Sequence, residues 1–447
     1  MKAAPHPHAQ PAPPAAAPGA AAPAGAGCPT AERPVPAREG LLARLLVPGG
    51  IVAAASFARL AEGIRALGLD DLAITNRANL QARGLSRDQA GGFVRLAREA
   101  GMLPPAHAPR RRAIVLSPLA GLDPAEAADP RPLAAALDAF LLASPHAEAL
   151  APKGGLAVDG GGAWPVRQGS LDLVLEAAGD AGWRLVLAGR DTGVAVPGLQ
   201  ATRALDALLD LFDETGTGRA KDLLARAGLE RVRRRLLTVQ GAAEVPVALP
   251  RPFDRPPLGV IATSLPGRVA LGAVAPFGVL GWQAALAAAR AAEQGDGLVR
   301  LTPWQGVVVA GIEAGATAGV AHMLEKAGLA TDPATPHAVL HACPGSVGCL
   351  RGTGDVRAVA AAIAALAGGL AARVRHIHVS GCGRGCAWPR RADLLLLADG
   401  RGGYALHRDA DARQPGDRAL LAADLAPGRA ADAVRAALER LPGPDGA

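Results

Sequence analysis

Aromatic residues and lysines are both scarce in this chain of 447 residues. Phe, Trp and Tyr together make up 3%, and the lysines are Lys2, Lys153, Lys221 and Lys326. Proteins that bind nucleic acid often interleave basic residues with aromatic ones, on which the bases stack, and this chain lacks that pattern. The net charge of +7 therefore favours a small polyanionic partner and not nucleic acid. Because lysine is so rare, a lysine in a loop is more informative than usual.

An export signal and a continuous membrane-spanning stretch are also missing. Residues 1–34 are rich in Ala and Pro and lack the apolar core of a secretory signal, so we predict a disordered tail. The longest uncharged run after it, residues 269–289, contains Pro276 and three glycines, and it predicts a strand, a turn and a buried helix. We expect a cytoplasmic protein with no membrane partner, whose five cysteines are not paired as disulfides.

The order of predicted elements occurs twice. Residues 41–47 predict a strand. It is followed by a helix, by the short strand 72–75 and by a second helix. Ser86 and Gln89 form a capping box at the start of that second helix. The same order returns later in the chain, with predicted elements at residues 269–275, 282–292, 298–302 and 316–327. Val47 and Val274, like Thr75 and Thr302, are 227 positions apart, which indicates an internal repeat.

These repeats alternate with larger mixed α+β regions, and a Pro-rich stretch at residues 246–257 is the clearest linker. We therefore predict five parts. They are a tail at 1–34, a half-domain at 35–108, a large domain without cysteine at 109–248, a second half-domain at 249–330 and a second large domain at 331–447.

Four of the five cysteines lie in two short glycine-rich loops. Five residues separate Cys343 from Cys349, and three separate Cys382 from Cys386. A [4Fe–4S] cluster needs four thiolates around one small volume, and two loops at the ends of a helix–strand unit can supply them. The glycines allow close approach of the backbone and direct N–H groups at the sulfurs. The pattern therefore predicts a [4Fe–4S] cluster on these four cysteines.

Other uses of the cysteines explain less of the pattern. Structural zinc sites usually separate paired cysteines by about two to four residues, which suits the second pair and not the first. Nucleophilic catalysis needs one cysteine with a base and leaves the other three unexplained.

The two cysteine loops and the repeated plan resemble the nitrite/sulfite reductase superfamily over about residues 35–445. The resemblance implies an α+β fold with a duplicated architecture, made of two ferredoxin-like half-domains and two larger α+β domains. In members that carry sirohaem, the last cysteine also bridges the cluster to the sirohaem iron, and Cys386 stands at that position.

Three loops resemble the superfamily's anion-binding loops. By this resemblance the candidate substrate-binding residues are Arg44, Arg77, Asn79, Gln81, Arg83 and Lys153. Guanidinium groups suit carboxylates because they donate two parallel hydrogen bonds. Arg44 and Arg77 could instead be ordinary surface ion-pair residues.

Within the superfamily, the chain most resembles the precorrin-3B synthase family. The resemblance rests on Cys28-Pro29, the loop at 75–81, Lys153 followed by the segment 158–162, and the stretch 301–304. Three positions depart from the expected motifs. Gly155 stands where sulfite reductases have a second lysine. Gly154 stands where the motif usually has an aromatic residue, and Gln305 stands where an arginine is expected.

This resemblance implies a monooxygenase that hydroxylates precorrin-3A at C-20 and closes a γ-lactone in aerobic cobalamin synthesis. It would use O2 and electrons from NADH, delivered by a partner reductase, since the chain lacks a glycine-rich dinucleotide motif. The resemblance also implies a mononuclear non-haem iron, for which the sequence names no ligands. Two alternatives stay open, a sirohaem-dependent nitrite or sulfite reductase and an iron–sulfur electron carrier without chemistry of its own.

Overall fold

The computed structural model describes residues 29–103, 114–152, 154–168, 171–251, 255–366 and 369–441. They form four consecutive α+β units, which we call the first half-domain, the first large domain, the second half-domain and the second large domain. The first half-domain contains β1 (Val35–Ala37), β2 (Gly40–Leu45), β3 (Ile51–Ala53), α1 (Ala54–Ala66), β4 (Asp71–Ile74), β5 (Leu80–Leu85) and α2 (Arg87–Glu99). The first large domain contains β6 (Ile114–Val115), α3 (Arg131–Ala143), β7 (Leu156–Asp159), β8 (Leu173–Ala177), β9 (Trp183–Leu187), β10 (Arg190–Val196), α4 (Ala201–Thr215), α5 (Ala220–Ala227), α6 (Leu229–Leu236) and β11 (Ala243–Glu244).

The second half of the chain has the same plan. The second half-domain contains β12 (Gly259–Ala262), β13 (Arg268–Val274), β14 (Val279–Gly281), α7 (Trp282–Glu293), β15 (Leu298–Leu301), β16 (Gly306–Glu313) and α8 (Thr317–Lys326). The second large domain contains β17 (Leu340–Ala342), α9 (Gly345–Gly348), α10 (Val356–Leu366), α11 (Leu370–Arg373), β18 (Ile377–Ser380), β19 (Ala392–Ala398), β20 (Tyr404–Ala410), β21 (Leu420–Leu425) and α12 (Pro427–Glu439).

The two half-domains exchange one strand each. Their sheets have the orders β1-β2-β5-β4-β14 and β12-β13-β16-β15-β3. Val52 of β3 lies opposite Val299 of β15, and Leu280 of β14 lies opposite Leu72 of β4. Helices α1 and α7 pack together, and one buried apolar core runs through both half-domains. The two repeats are therefore held in one orientation relative to each other by backbone hydrogen bonds and by a shared core.

The structure confirms the internal repeat and corrects its register at the first turn. The turn Pro48–Gly50 corresponds to the turn Pro276–Gly278, 228 residues later, so Val47 corresponds to Ala275 and not to Val274. At the second turn, Ala78 and Gln305 both have left-handed backbone angles (φ 53° and 63°), and there the spacing is 227. The two repeats therefore differ in length by one residue between their turns.

The predicted order of strand, helix, strand, helix was incomplete. Strands β5 and β16 follow the second turn of each repeat and were not predicted. The capping box is confirmed, since Ser86 and Gln89 form it at the start of α2.

The two large domains share one topology. Three parallel strands (β6, β7 and β8 in the first, β17, β18 and β19 in the second) are extended by antiparallel strands. Because neighbouring parallel strands end at the same edge of a sheet, the loops after β17 and β18 leave the sheet side by side. These are the two cysteine loops. None of the helices within the described ranges is both long and apolar enough to span a bilayer.

Candidate functional site

The cysteine loops open into a large cavity between the first half-domain and the second large domain. The cavity has about 510 Å³ of free volume, and Cys343, Cys349, Cys382 and Cys386 all line it. Cys343 follows β17 directly and is buried, whereas Cys386 is exposed to the cavity. The structure thus brings the four predicted ligands to one wall of one cavity.

Backbone N–H groups are directed at the Cys343 sulfur. The Gly381 N–H donates to Cys343 Sγ at 3.3 Å. Burial raises the pKa of the Cys343 thiol, and the N–H groups of Gly381 and Gly345 partly offset this. Burial also raises the pKa of the Cys386 thiol, as do the other three cysteines, whose charges act on it. Four mutually repelling thiolates suit a positively charged iron–sulfur core, and the N–H donors would stabilise the sulfur charge that remains.

Glycines make room for this arrangement. Gly345 has a left-handed backbone (φ 62°), and a Cβ there would lie 2.6 Å from the Gly354 carbonyl oxygen. The chain can therefore fold its first cysteine loop tightly only with glycine at this position. These residues fit a [4Fe–4S] cluster, in which each thiolate binds a different iron, so the four sulfurs need not meet at one point. In the part of the chain that the structure describes, no group of three His, Cys, Asp or Glu side chains is placed to bind a single metal ion. We therefore assign no ligands to the mononuclear iron.

The first half-domain supplies the opposite wall of the cavity. Arg44 on β2 and Gln81 on β5 are cross-strand partners, and both side chains line the cavity. With its amide oriented to match both groups, the Gln81 side-chain oxygen accepts from Arg44 Nε at 3.2 Å and from Nη2 at 2.8 Å. The predicted pair is therefore one unit, in which Gln81 orients the Arg44 guanidinium.

Asn79 has a structural contact as well as a place in the cavity wall. It is 5% exposed, and its side-chain oxygen accepts from the Val47 N–H at 2.8 Å. Thr75 accepts from the Asn79 N–H at 3.1 Å. These bonds hold the turn that carries Arg77 against the end of β2. A direct role for Asn79 in substrate binding stays a prediction.

Arg83 connects the half-domain to the first cysteine loop. Its Nε donates to Glu39 Oε1 at 2.6 Å, and its Nη2 donates to the Gly348 carbonyl, one residue before Cys349. Arg38 Nε also donates to the Cys349 carbonyl at 3.4 Å. Arg83 lines the cavity too, so it can both support the cysteine loop and contact a ligand.

Lys153 lies outside the described residues, so its predicted role in substrate binding stays a prediction, and Cys28 lies outside them too. The residues after Lys153 are described. The Asp172 carboxylate accepts from the Gly155 N–H at 3.0 Å and from Arg219 Nε at 2.8 Å. This places Gly155 beside the guanidinium of Arg77.

Sequence reasoning missed three arginines that also line the cavity, which are Arg219, Arg357 and Arg384. Arg384 could have been found, since it stands between Cys382 and Cys386. Arg357 lies in the first turn of α10, the helix after the first cysteine loop, and burial lowers the pKa of its guanidinium. Arg219 carries no signal in the sequence, because only the folded chain brings it near.

Guanidinium groups dominate the charged lining of the cavity, although Arg83 pairs with Glu39 and Arg219 with Asp172, both outside the lining. Among the described residues that line it, six are arginines and none is Asp or Glu. Such a lining suits a ligand that carries several negative charges over a wide area.

Three comparisons place the chain among known proteins. Residues 265–327 match the nitrite/sulfite reductase ferredoxin-like half domain. A precorrin-3B synthase from a Sinorhizobium species is 32% identical over 406 residues, which cover 85% of this chain and 82% of that protein. A ferredoxin–nitrite reductase from Synechococcus elongatus is 30% identical over 391 residues, covering 80% of this chain and 76% of that protein.

The fold matches that of a solved structure, the Mycobacterium tuberculosis NirA protein. The two superpose with a TM-score of 0.71 at 19% sequence identity, and the match covers 90% of this chain and 81% of the NirA chain. The α+β architecture with its repeated half-domains and large domains is therefore the predicted one. The chain belongs to the nitrite/sulfite reductase superfamily and, within it, to the precorrin-3B synthase family.

Proposed function

We propose that this chain is a precorrin-3B synthase, which hydroxylates precorrin-3A at C-20 and forms a γ-lactone from the ring A acetate. The observation that most supports this function is the cavity, which has four cysteines on one wall and six arginines around it. No acidic residue is among its described lining residues. Precorrin-3A is a tetrapyrrole with many carboxylates, so its charge and breadth suit this cavity. The precorrin-3B synthase relative supports the same substrate.

The chain's own residues would bind and orient the macrocycle. Arg44, held by Gln81, and Arg77, held by the Thr75–Asn79 turn, would each donate paired hydrogen bonds to a peripheral carboxylate. A guanidinium beside the ring A acetate would keep that carboxylate ionised, as the nucleophile of lactone closure must be. Arg83, Arg219, Arg357 and Arg384 would hold further carboxylates.

The reaction needs electrons that the chain itself does not store. One oxygen atom of O2 enters the product, and the other leaves as water with two electrons and two protons. NADH would supply the electron pair through a partner reductase. The cluster on Cys343, Cys349, Cys382 and Cys386, when bound, would pass electrons one at a time.

The ferredoxin–nitrite reductase relative favours a second candidate, a sirohaem-dependent nitrite or sulfite reductase. The surroundings of Gly155 argue against a sulfite reductase. A Cβ at this position would lie 3.2 Å from the Arg77 guanidinium and 2.8 Å from Leu171 Cδ2. The second lysine of sulfite reductases would not fit here without moving Arg77.

The test is anaerobic purification, iron and sulfide analysis, and incubation with precorrin-3A, NADH, a flavin reductase and 18O2. We expect acid-labile sulfide with at least as much iron, a broad absorption shoulder, and a product with one labelled oxygen atom. Sirohaem bands together with nitrite turnover would instead identify the reductase. Cluster-loaded protein that leaves both precorrin-3A and nitrite unchanged would support the electron carrier.

A further inference from the structure

Arg357 is a half-buried arginine on the side of the cavity that carries the cysteines. It lies in the first turn of α10 and lines the cavity together with Cys343 and Cys349. The helix begins directly behind the first cysteine loop, since a Cβ at Gly345 would lie only 2.8 Å from the Val356 nitrogen. Arg357 therefore belongs to the same short stretch of chain that positions two of the four predicted cluster ligands.

The Arg357 guanidinium is compensated only in part. Within the residues that the structure describes it makes neither a hydrogen bond nor an ion pair, and its Nε atom is shielded from solvent. Among charged groups, the carboxylate of Asp71 on β4 acts on it most strongly, but from beyond ion-pair distance. Arg83 and Glu39 act on it next, and they pair with each other at 2.6 Å, so their effects on Arg357 largely cancel.

This position is costly for a cation in two ways. Burial removes water from the guanidinium. The N-terminal end of a helix also carries partial positive charge, so the helix dipole repels a cation in the first turn. Asp355 shows the favourable arrangement, because its carboxylate accepts from the Ala358 N–H at 3.1 Å and caps the same helix. A cation in such a place is stable when an anion lies beside it.

The cysteine wall would supply that anion. A [4Fe–4S] cluster held by four thiolates carries net negative charge, which grows when the cluster accepts an electron. The charge of Cys343 already acts on Arg357. Because a cation attracts the more negative form more strongly, it stabilises the reduced cluster over the oxidised one. A buried cation at this position therefore raises the reduction potential of the cluster.

Other arginines of the cavity are less suited to this role. Arg384 stands between two of the cysteines but is exposed, so water and salt screen its charge. Arg83 is paired with Glu39, and Arg219 with Asp172 at 2.8 Å. Burial without an ion pair thus distinguishes Arg357 from these three.

We propose that the Arg357 guanidinium compensates the negative charge of the iron–sulfur cluster and thereby raises its reduction potential, which makes the cluster easier for a reductase to reduce. This rests on the proposed function in one respect, since it takes a [4Fe–4S] cluster on the four cysteines as the cofactor. It goes beyond the binding of substrate carboxylates, because it holds when the cavity contains no tetrapyrrole. Arg357 is not a catalytic residue, since it acts on the reaction only through the cluster.

The test is a redox titration of the anaerobically purified, cluster-loaded protein without tetrapyrrole, followed by electron paramagnetic resonance of the reduced cluster. Arg357→Gln removes the charge and keeps a polar side chain. Arg429→Gln is the matched control, because Arg429 lies in the first turn of α12 in the same domain, is exposed and does not line the cavity.

The measured quantity is the ratio of reduced to oxidised cluster at a fixed applied potential. We expect Arg357→Gln to lower this ratio about 10-fold, which is a shift of about 59 mV in the midpoint potential of a one-electron couple. Arg429→Gln should leave the ratio within about twofold, because its charge is screened by solvent.

Two further variants keep the test decisive if Arg357→Gln folds poorly. Arg357→Met is neutral and apolar, which suits a buried position, and it should lower the potential as Arg357→Gln does. Arg357→Lys keeps the charge, so its potential should stay close to that of the unmodified protein. The midpoint potential is read from the loaded fraction alone, so partial loss of iron does not change it.

The outcomes separate this inference from the proposed function. If the unmodified protein holds no iron and sulfide after reconstitution, the cluster assignment fails and this inference fails with it. If the cluster is present, and Arg357→Gln and Arg357→Met titrate at the unmodified potential, the role of Arg357 is refuted while the cluster and the synthase function stand. A potential lowered equally in Arg357→Lys and Arg357→Met would show that charge is not the cause and would refute it as well.

Discussion

Arg77 and Gly155 are in contact across the boundary between the first half-domain and the first large domain. A Cβ on Gly155 would lie 3.2 Å from Arg77 Nη1, and Asp172 holds the Gly155 backbone in place through a 3.0 Å hydrogen bond. The absence of a side chain at Gly155 thus determines where the Arg77 guanidinium can lie. This contact links a departure from the sulfite reductase motif to the geometry of the cavity.

The first prediction follows from that contact. Gly155→Ala should move the Arg77 guanidinium by a fraction of an ångström. Because charged hydrogen bonds depend on geometry, this should raise the Kd for uroporphyrin, a stable tetrapyrrole polycarboxylate whose binding is measured by fluorescence quenching, by roughly 3- to 10-fold. The nearest other atom, Leu171 Cδ2, is on a flexible side chain, so the melting temperature should change little. Gly319→Ala is the control, since nothing lies within 4 Å of a Cβ there. Equal Kd values for both variants would count against a role for Arg77 in binding.

The second prediction concerns the cluster. Cys382→Ser should lose most of the iron and sulfide, because a serine oxygen is a poor ligand for the cluster iron. Cys28→Ser should keep both, because the four cysteines at the cavity are sufficient. The measurement is iron and acid-labile sulfide per chain after anaerobic reconstitution. Zinc in place of iron, or full iron and sulfide content in Cys382→Ser, would overturn the ligand assignment.

The third prediction concerns the contact between Arg83 and the Cys349 loop. Arg83→Gln removes the hydrogen bond to the Gly348 carbonyl and the ion pair with Glu39. The side chain of Arg83 is only 14% exposed and that of Glu39 is 30% exposed. A charged hydrogen bond of this kind contributes about 1.5–3 kcal/mol, so loss of the cluster to a chelator should accelerate roughly 10-fold or more. The readout is the decay of the cluster absorbance.

Glu39→Gln separates the two contacts of Arg83. This variant loses the ion pair and keeps the bond to the Gly348 carbonyl, so we expect a smaller acceleration. If Glu39→Gln and Arg83→Gln lose the cluster equally fast, the bond to the loop contributes nothing.

The fourth prediction concerns pH. Burial raises the pKa of the Glu126 carboxyl to about 7 from an ordinary value of 4.5. Between these values the folded chain binds more protons than the unfolded chain, so stability falls as pH rises through this range. Glu126→Gln should therefore be more stable than the unmodified protein at pH 8 by roughly 1–2 kcal/mol, with allowance for its partial exposure, and about equal at pH 4.5.

Urea denaturation at both pH values measures this difference. Glu62→Gln, at an exposed position of α1, is the control and should show no such pH dependence. If the free energy of unfolding changes with pH in the same way for Glu126→Gln and for the unmodified protein, Glu126 does not ionise in this range.

The sequence by itself determined the parts of this protein that local patterns encode. Apolar periodicity and the Ser86–Gln89 capping box predicted both helices and two of the strands of each half-domain, because such signals act within a few turns of chain. The two cysteine loops and the repeated plan led to the superfamily. The arginines at positions 44, 77 and 83 were found because they lie in contiguous motifs.

Tertiary structure decided what depends on distant contacts. The exchange of β3 and β14 between half-domains has no local signal, since either strand could pair within its own repeat. Arg219 and Arg357 reach the cavity only because separate units pack together. A short motif can specify which groups a loop carries, but the distance between two loops is set by the packing of the whole chain.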